Sequence, residues 1–277
     1  MKIAIISDIH ANWEALETTV HDISGQGVDR IVCLGDIVGY NANPAECVAI
    51  LRELDADCVG GNHDRAVAEQ ITTAGFSVRA ARAVVWTRER LVSDVIEFLT
   101  GLPLQVSLET HLVAVHGTLG PHGGCENTYL DSDERRLRCF EALMQHPSRA
   151  RICAYGHTHR LAIFELREGS VRALDGDEIS LCEDSYYLIN PGTVGEPRGT
   201  SERRATYLIL DTAQLGLSVR RVEYNSSVPA LKTRRAGLAP RSASITTMFR
   251  TAVKWSTRQL GMYNFVRRFR GGISGGL

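Results

Sequence analysis

The sequence has 277 residues, of which 44% are hydrophobic and 23% are charged, and its formal net charge is −1. These are ordinary values for a globular protein with one large domain, alone or with an appendage. No apolar run reaches the roughly 18 residues of a membrane-spanning helix, and the N-terminus lacks the regions of a signal peptide. The seven cysteines include no Cys-x-x-Cys pair, which argues against a disulfide framework or a cysteine zinc site. We therefore expect a cytoplasmic protein.

The near-neutral net charge hides a segregation along the chain. Of the 31 basic and 32 acidic residues, ten basic and no acidic residues lie in 225–277. This leaves 21 basic against 32 acidic residues, a net charge of −11, in residues 1–224. The composition therefore predicts an acidic domain over residues 1–224 and a basic C-terminal extension over residues 225–277.

Strand and helix patterns alternate early in the chain, and strand patterns cluster late. Strands are predicted at 2–6, 30–34, 57–59, 104–108, 111–115, 151–155, 161–166, 186–189, 205–211 and 218–224. A helical pattern with Asn12 as N-cap follows the first strand. Others follow the second and third strands, the latter over 65–100, and one covers 131–145. Residues 118–124 have loop composition and 225–227 linker composition. This order predicts an α/β fold in which two sheets pack together.

Five of the short apolar runs end in a cluster of residue types that bind metals. Open α/β sheets place their ligand sites just beyond the carboxyl ends of the strands. Carboxylate, imidazole and amide oxygen together suit divalent Mn²⁺, Zn²⁺ or Fe²⁺. The pattern therefore predicts a metal site at one rim of the fold. The clusters are Asp8-Ile9-His10, Gly35-Asp36, Gly61-Asn62-His63-Asp64, His116-Gly117 and Gly156-His157-Thr158-His159.

The number of candidate ligands predicts two metal ions, because one ion takes about four to six ligands. Asp36 is the expected bridge, since it follows a central strand and its carboxylate has two oxygens to share. In an extended segment, residues i and i+2 point the same way, so both members of Asp8/His10 and of His157/His159 are expected to reach one centre. The seven candidate ligands are Asp8, His10, Asp36, Asn62, His116, His157 and His159.

Such a pair of ions suits hydrolysis of a phosphoester. Two metals roughly 3.5–4 Å apart clamp an in-line displacement at phosphorus and lower the pKa of a bridging water. We therefore expect a metal-bridging hydroxide as the nucleophile. His63, the neighbour of Asn62, is the expected general acid that protonates the leaving group. Asp64 is expected to orient His63 or to raise its pKa through its negative charge.

The five clusters, in this order over about residues 1–160, resemble the calcineurin-like metallophosphoesterase superfamily. Residues 35–40 (Gly-Asp-Ile-Val-Gly-Tyr) and 190–198 (Asn-Pro-Gly-Thr-Val-Gly-Glu-Pro-Arg) resemble its subgroup of small bacterial phosphodiesterases and diadenosine-polyphosphate-hydrolase-related proteins. The resemblance implies a four-layer α-β-β-α sandwich of two mixed sheets. It also implies a metal-dependent phosphoesterase with two divalent ions, manganese as first choice and zinc, iron or nickel as alternatives. One ion would take Asp8, His10, Asp36 and His159, and the other Asp36, Asn62, His116 and His157.

Substrate recognition is less well defined by the sequence. Residues 38–40 (Val-Gly-Tyr) stand where the protein phosphatases of the superfamily carry a second Asp and an Arg. A small phosphodiester or nucleotide-like phosphate is therefore the expected substrate. Arg198 is a candidate to bind the substrate phosphate in bidentate fashion, or it is a plain surface charge. Tyr40 is a candidate to stack on a base, or it is a packing residue.

The basic extension lies outside the family pattern and leaves several partners open. Residues 244–263 predict an amphipathic helix with Arg250, Lys254 and Arg258 on its polar side. Its apolar face suits docking on the acidic domain or on a second subunit, and its charge suits an anionic membrane or nucleic acid. A nuclease recruited by this tail is thus one alternative function. A non-enzymatic scaffold of the same superfamily is another.

Overall fold

The computed structural model describes residues 1–108, 111–198 and 202–239. Most strands lie close to their predicted ranges, whereas β6, β7, β10 and β11 are additional. The strands are β1 (Lys2–Ile6), β2 (Arg30–Cys33), β3 (Asp57–Cys58), β4 (Gln105–Leu108), β5 (Leu112–Val115), β6 (Thr118–Gly120), β7 (Gly123–Cys125), β8 (Ile152–Ala154), β9 (Leu161–Arg167), β10 (Ser170–Leu174), β11 (Glu178–Ser180), β12 (Tyr186–Pro191), β13 (Ala205–Asp211) and β14 (Gly216–Val222). The helices are α1 (Trp13–Ser24), α2 (Pro44–Glu53), α3 (Asn62–Val67), α4 (Val78–Arg88), α5 (Ser93–Gly101), α6 (Asp133–Met144) and α7 (Ser227–Arg235).

The strands form two mixed six-stranded sheets. Their orders are β11-β14-β13-β1-β2-β3 and β10-β9-β12-β8-β5-β4. In the first sheet β1, β2 and β3 are parallel and β13 joins β1 antiparallel. In the second sheet β8 lies parallel to both β5 and β12. Parallel strands end at a common edge, so the residues that follow them are brought together.

The alternation of side chains along β1 shows why two sheets stack. Ile3 and Ile5 point into a core that they share with Leu112 of the second sheet. Ala4 and its neighbours on the opposite face pack against α1 through Leu16. Because both faces of β1 are covered, the strand reads as a continuous apolar run, as is usual for parallel strands.

The second sheet is covered on its outer face in the same way. Phe140 of α6 packs against Val113 and Tyr155 in a third apolar cluster. The layers are therefore helices, sheet, sheet and helix. This arrangement confirms the predicted α/β fold, a four-layer α-β-β-α sandwich of two mixed sheets.

Two predicted segments differ from the structure. The single helical pattern over 65–100 is wrong, because α3, α4 and α5 are separate helices and 68–77 is not helical. Ser77 starts α4 anew, since its hydroxyl accepts a hydrogen bond from the Ala80 N–H. The loop predicted at 118–124 is instead a hairpin of β6 and β7. The first difference bears on the site, because residues of the segment 68–77 line it.

The first part of the basic extension packs on the domain. Helix α7 begins at Ser227, where the sequence predicts a linker. Lys232 pairs with Glu14 of α1 at 2.5 Å, and the buried Thr233 hydroxyl donates to Asn41 at 2.9 Å. The domain boundary at residue 224 stays a prediction, and the predicted amphipathic helix at 244–263 lies outside the described residues. In the part that is described, no helix is long and apolar enough to cross a membrane.

Candidate metal centre

The predicted ligands follow the carboxyl ends of strands from both sheets. Each of the seven is at most 6% exposed. Since β1 to β3 belong to one sheet and β5 and β8 to the other, the site lies where the ends of the two sheets meet. Asp8 and His10 follow β1, Asp36 follows β2, Asn62 and His63 open α3 after β3, His116 follows β5, and His157 and His159 follow β8.

The ligand atoms form two groups that share Asp36. One group is Asp8, His10, Asp36 and His159, and the other is Asp36, His116 and His157; within each, the atoms lie within 4.8 Å of one another. The Asn62 Oδ1 atom lies 3.2 Å from His116 Nε2, beside the second group. The structure thus brings together the same sets of side chains that the family resemblance implies.

Five of the seven predicted ligands have left-handed backbone. Their φ values lie between 50° and 64°; the residues are Asp8, His10, Asp36, His157 and His159. The prediction that the paired ligands lie on extended segments is therefore wrong. Left-handed backbone costs a residue with a side chain about 1–3 kcal/mol and persists where its surroundings hold it, often at functional sites.

The hydrogen bonds of two histidines fix which ring nitrogens are free. His10 Nδ1 donates to the Val38 carbonyl at 3.1 Å, and His159 Nδ1 donates to the Glu196 carbonyl at 2.5 Å. Each neutral ring therefore carries its proton on Nδ1 and presents a lone pair at Nε2. The two Nε2 atoms are only 3.1 Å apart. Two facing lone pairs repel each other, and a cation between them would turn this repulsion into ligation.

The second group also brings ring nitrogens and a carboxylate close together. His116 Nδ1 donates to the Leu34 carbonyl at 2.7 Å, while its Nε2 lies 3.2 Å from His157 Nδ1 and 3.4 Å from Asp36 Oδ2. Burial alone would lower the pKa of His116, but the Asp36 carboxylate outweighs it and raises that pKa to about 9. A proton on His116 thus supplies positive charge that the buried carboxylate requires.

The carboxylates also fit bound cations. Burial raises the pKa of Asp8 to about 7, and its buried Oδ1 atom has no hydrogen-bond partner, nor has His157 Nε2. Burial acts on Asp36 in the same direction, but the imidazoles of His116 and His63 hold its pKa well below the ordinary value. Unpaired buried acceptors are costly unless a charge or a donor meets them. The residues present therefore fit divalent cations.

His63 lies beside both groups without belonging to either. It is 2% exposed, its Nδ1 has no hydrogen-bond partner, and its backbone N–H donates to Asp36 Oδ1 at 2.8 Å. Gly39 has a φ of 92°, and a Cβ atom there would collide with the His63 ring. Burial lowers the pKa of His63 to about 4, although the Asp36 charge opposes that shift.

The Asp64 carboxylate accepts hydrogen bonds from the backbone, and its action on His63 stays a prediction. Its Oδ1 accepts from the Val38 N–H at 3.1 Å and its Oδ2 from the Gly61 N–H at 3.0 Å. It therefore ties the turn after β3 to the loop after β2 by hydrogen bonds to backbone, not by a bond to the His63 ring. The carboxylate whose charge acts most on His63 is Asp36.

Arg198 and Tyr40 lie together at the site. The Arg198 guanidinium donates to the Tyr40 hydroxyl at 3.0 Å. Burial alone would lower the pKa of Arg198, but Tyr40 and Asp8 outweigh it and raise that pKa. The Tyr40 ring is 8% exposed and lies 4.7 Å, centroid to centroid, from the rings of both His10 and His63. These contacts favour the packing alternative for Tyr40 and place Arg198 at the site, not on the outer surface.

One residue of this network, Arg79, has no motif signal in the sequence. Arg79 of α4 forms a bidentate ion pair with Glu196 and lies 4.6 Å over the Tyr40 ring. The Glu196 carbonyl in turn accepts from His159. Arg79 lies in a helical pattern with no motif, so only the fold reveals that it supports both Tyr40 and His159.

A cavity of about 710 Å³ opens onto the site. This volume suits a small-molecule ligand. His63, Asn62, His157 and Arg198 line its inner part, and residues of the segment 68–77 line another part, including Ile71 and Phe76. Tyr129, which is 40% exposed, also lines it and stacks on His157 at 4.0 Å.

Comparisons with known proteins agree with this geometry. The chain is 34% identical over 228 residues to an uncharacterised protein of Methanocaldococcus jannaschii, a match that covers 80% of this chain and 88% of that protein. A metallophosphoesterase of known structure from Sphaerobacter thermophilus is 33% identical, with a TM-score of 0.68 over 86% of this chain and 95% of that one. A hypothetical protein of Pyrococcus horikoshii, 16% identical, has the same fold, with a TM-score of 0.69 over 86% and 94% of the two chains. A family model for the calcineurin-like phosphoesterase superfamily domain matches residues 1–215. The chain therefore belongs to the calcineurin-like phosphoesterase superfamily.

Proposed function

We propose that this protein is a phosphoester hydrolase that depends on two divalent metal ions and acts on a small phosphodiester or nucleotide-like phosphate. The observation that carries the proposal is the pair of ligand groups sharing Asp36, with His63 and Arg198 lining the same cavity. A scaffold would have no need of unpaired buried acceptors beside an open cavity.

The two ligand groups would hold one ion each. Asp8, His10 and His159 would serve the first, His116, His157 and Asn62 the second, and Asp36 both. Manganese is our first choice, with zinc, iron or nickel as alternatives, since nitrogen and oxygen ligands suit all four. When bound, such a pair of ions supplies an activated water and neutralises the charge on the phosphate.

The chain's own residues would bind the phosphate and move the proton. Arg198, held by the Tyr40 hydroxyl, is positioned to pair with a phosphate oxygen that enters the cavity. His63 is our candidate for the general acid, and protonation of the leaving oxygen is its task. Burial lowers the pKa of His63, and the negative charge of a bound phosphate acts in the opposite direction.

The test is a hydrolysis assay on chelated protein reloaded with Mn²⁺, Zn²⁺, Fe²⁺ or Ni²⁺. We expect metal-dependent turnover of bis(p-nitrophenyl) phosphate that falls about 100-fold or more in Asp36→Asn. Asp94→Asn, an exposed carboxylate on α5, is the matched control and should keep full activity. Equal background rates for wild type and Asp36→Asn with every metal would instead support a non-enzymatic scaffold.

A further inference from the structure

The lining of the cavity around His63 includes apolar and aromatic side chains among polar ones. Phe76, from the non-helical segment before α4, lies with its ring centroid 5.1 Å from that of His63. Ile71 and Ala80 line the same cavity. Phe76 is half-buried, so part of its ring is available to a ligand. Tyr129 adds a second ring, stacked on His157.

The cavity is poor in charge apart from the metal centre. Of the described residues that line it, Arg198 is the only arginine or lysine and Asp36 the only carboxylate. The nearby Arg79 is already engaged by Glu196. One cation suits one phosphate, and a substrate with further phosphates would find no second arginine or lysine among the described residues of this wall.

The position of Phe76 relative to His63 indicates which part of the substrate it meets. If His63 donates the proton, the leaving oxygen must lie within hydrogen-bond reach of that ring. The group attached to the leaving oxygen then lies against Phe76. A flat apolar group gains there from offset or edge-to-face contact with the aromatic ring and from burial of its surface.

We infer that the preferred substrates are phosphodiesters whose leaving alcohol carries a flat, uncharged ring, which packs on Phe76. This inference rests on the proposed function. In the reaction, water supplies the new bond to phosphorus, the bond from phosphorus to the ring-bearing alcohol breaks, and that alcohol leaves with the proton from His63. Phe76 is thereby a specificity-determining residue and not a catalytic one.

A binding measurement tests the inference without turnover. Isothermal titration of Mn²⁺-loaded protein compares 1-naphthylmethylphosphonate with methylphosphonate, which share the phosphonate and differ in the ring. We expect wild type to prefer the naphthyl compound, and Phe76→Ala to reduce that preference roughly tenfold. Phe98→Ala is the matched control, because Phe98 is also half-buried on the same core cluster but does not line the cavity. It should leave the preference unchanged.

Two results would overturn the inference. One is an absence of preference in wild type, and the other is a preference that Phe76→Ala and Phe98→Ala alter equally.

A naphthylmethylphosphonate with a second phosphonate on its ring should bind more weakly than the parent compound, and tighter binding would contradict the uncharged leaving group. Phe76→Leu, which keeps apolar volume, guards against loss of folding and should retain part of the preference.

A turnover measurement separates this inference from the proposed function. The kcat/KM of methyl 1-naphthyl phosphate is compared with that of methyl 2,2,2-trifluoroethyl phosphate in wild type and in Phe76→Ala. For each substrate the kcat/KM of Phe76→Ala is divided by that of wild type, so the intrinsic reactivity of the ester cancels. Only the naphthyl ester should lose about tenfold in kcat/KM. Hydrolysis of both esters with equal losses overturns the inference and leaves the proposed function standing. A naphthyl preference in binding, with no hydrolysis under any metal, would overturn the proposed function and leave Phe76 only as a residue that binds a flat ring.

Discussion

At the scale of single residues, a substitution of His63 tests proton transfer separately from metal binding. We expect His63→Ala to lower kcat about 10²–10⁴-fold, the usual contribution of a general acid. Metal content measured by atomic emission should not change, because His63 belongs to neither ligand group. The loss should be smaller for p-nitrophenyl esters than for alkyl esters, because p-nitrophenolate leaves readily without a proton. Equal losses for both leaving groups would assign His63 another task.

Sequence reasoning succeeds for residues that follow a buried strand and fails for those that reach the site through packing. Asp36 and His116 come directly after apolar runs, so the geometry of a sheet is enough to bring them together. Arg79 and Phe76 belong to a segment with no motif signal. Their place depends on where α3 ends and α4 begins, which the continuous helical pattern over 65–100 concealed.

At the scale of secondary-structure elements, the segment from α7 to residue 239 packs on the domain. Leu238 is 1% exposed, whereas Leu231 in the same segment is 46% exposed. We expect Leu238→Ala to lower the free energy of unfolding by about 2–3 kcal/mol, through lost burial and a residual cavity. Leu231→Ala should cost less than about 0.5 kcal/mol. Urea denaturation followed by circular dichroism measures both, and equal effects would show that this segment does not pack as described.

The composition of this segment does not predict its helix. Ser226 and Ser227 are residue types common in linkers, and the sequence of α7, which is rich in basic residues, has no clear apolar stripe. The helix is held by particular partners instead, since Lys232 meets Glu14 and Thr233 meets Asn41. Asn41 donates in turn to the His10 carbonyl from its side chain at 3.0 Å. A chain ending at residue 224 would lose these contacts next to a proposed metal ligand.

A second prediction at this scale concerns the contact of α1 with the first sheet. Asp22 of α1 accepts hydrogen bonds from Arg220 of β14 at 3.0 Å and from the Tyr207 hydroxyl of β13 at 2.6 Å. Burial opposes ionisation of Asp22, but these bonds prevail and lower its pKa. Because the folded state has the lower pKa, the stabilisation is present above the ordinary Asp pKa of about 3.9 and is lost as the pH falls through the folded value.

We therefore expect Asp22→Asn to destabilise the protein by about 1–2 kcal/mol at pH 7. The difference from wild type should shrink as the pH falls below about 4. Glu17→Gln, an exposed acid on the same helix with no side-chain bond among the described residues, should show no such trend. Denaturant titrations at several pH values measure the differences, and a constant difference at all pH values would contradict the role of the Asp22 charge.

At the scale of the whole molecule, the candidate metal centre lies where the two sheets meet. Asp8 and Asp36 extend from the first sheet and His116 and His157 from the second, so bound ions would cross-link the layers at their carboxyl ends. The same place holds facing lone pairs and carboxylates with opposed pKa shifts. The fold therefore carries an unfavourable arrangement that binding of cations would relieve.

The consequence is a stability that depends on metal concentration. A ligand that binds only the folded state stabilises it by about 2.7 kcal/mol at 100 times its Kd. For a protein of this size each kcal/mol raises the Tm by roughly 2–4 °C, so Mn²⁺ added to chelated protein should raise the Tm by roughly 5–11 °C. Differential scanning calorimetry measures the shift. Asp36→Asn should abolish most of it, because both ligand groups lose their shared carboxylate, whereas Asp94→Asn should keep it. An equal shift in both variants would locate the stabilising ion elsewhere and would remove the main physical support for a centre built across the two sheets.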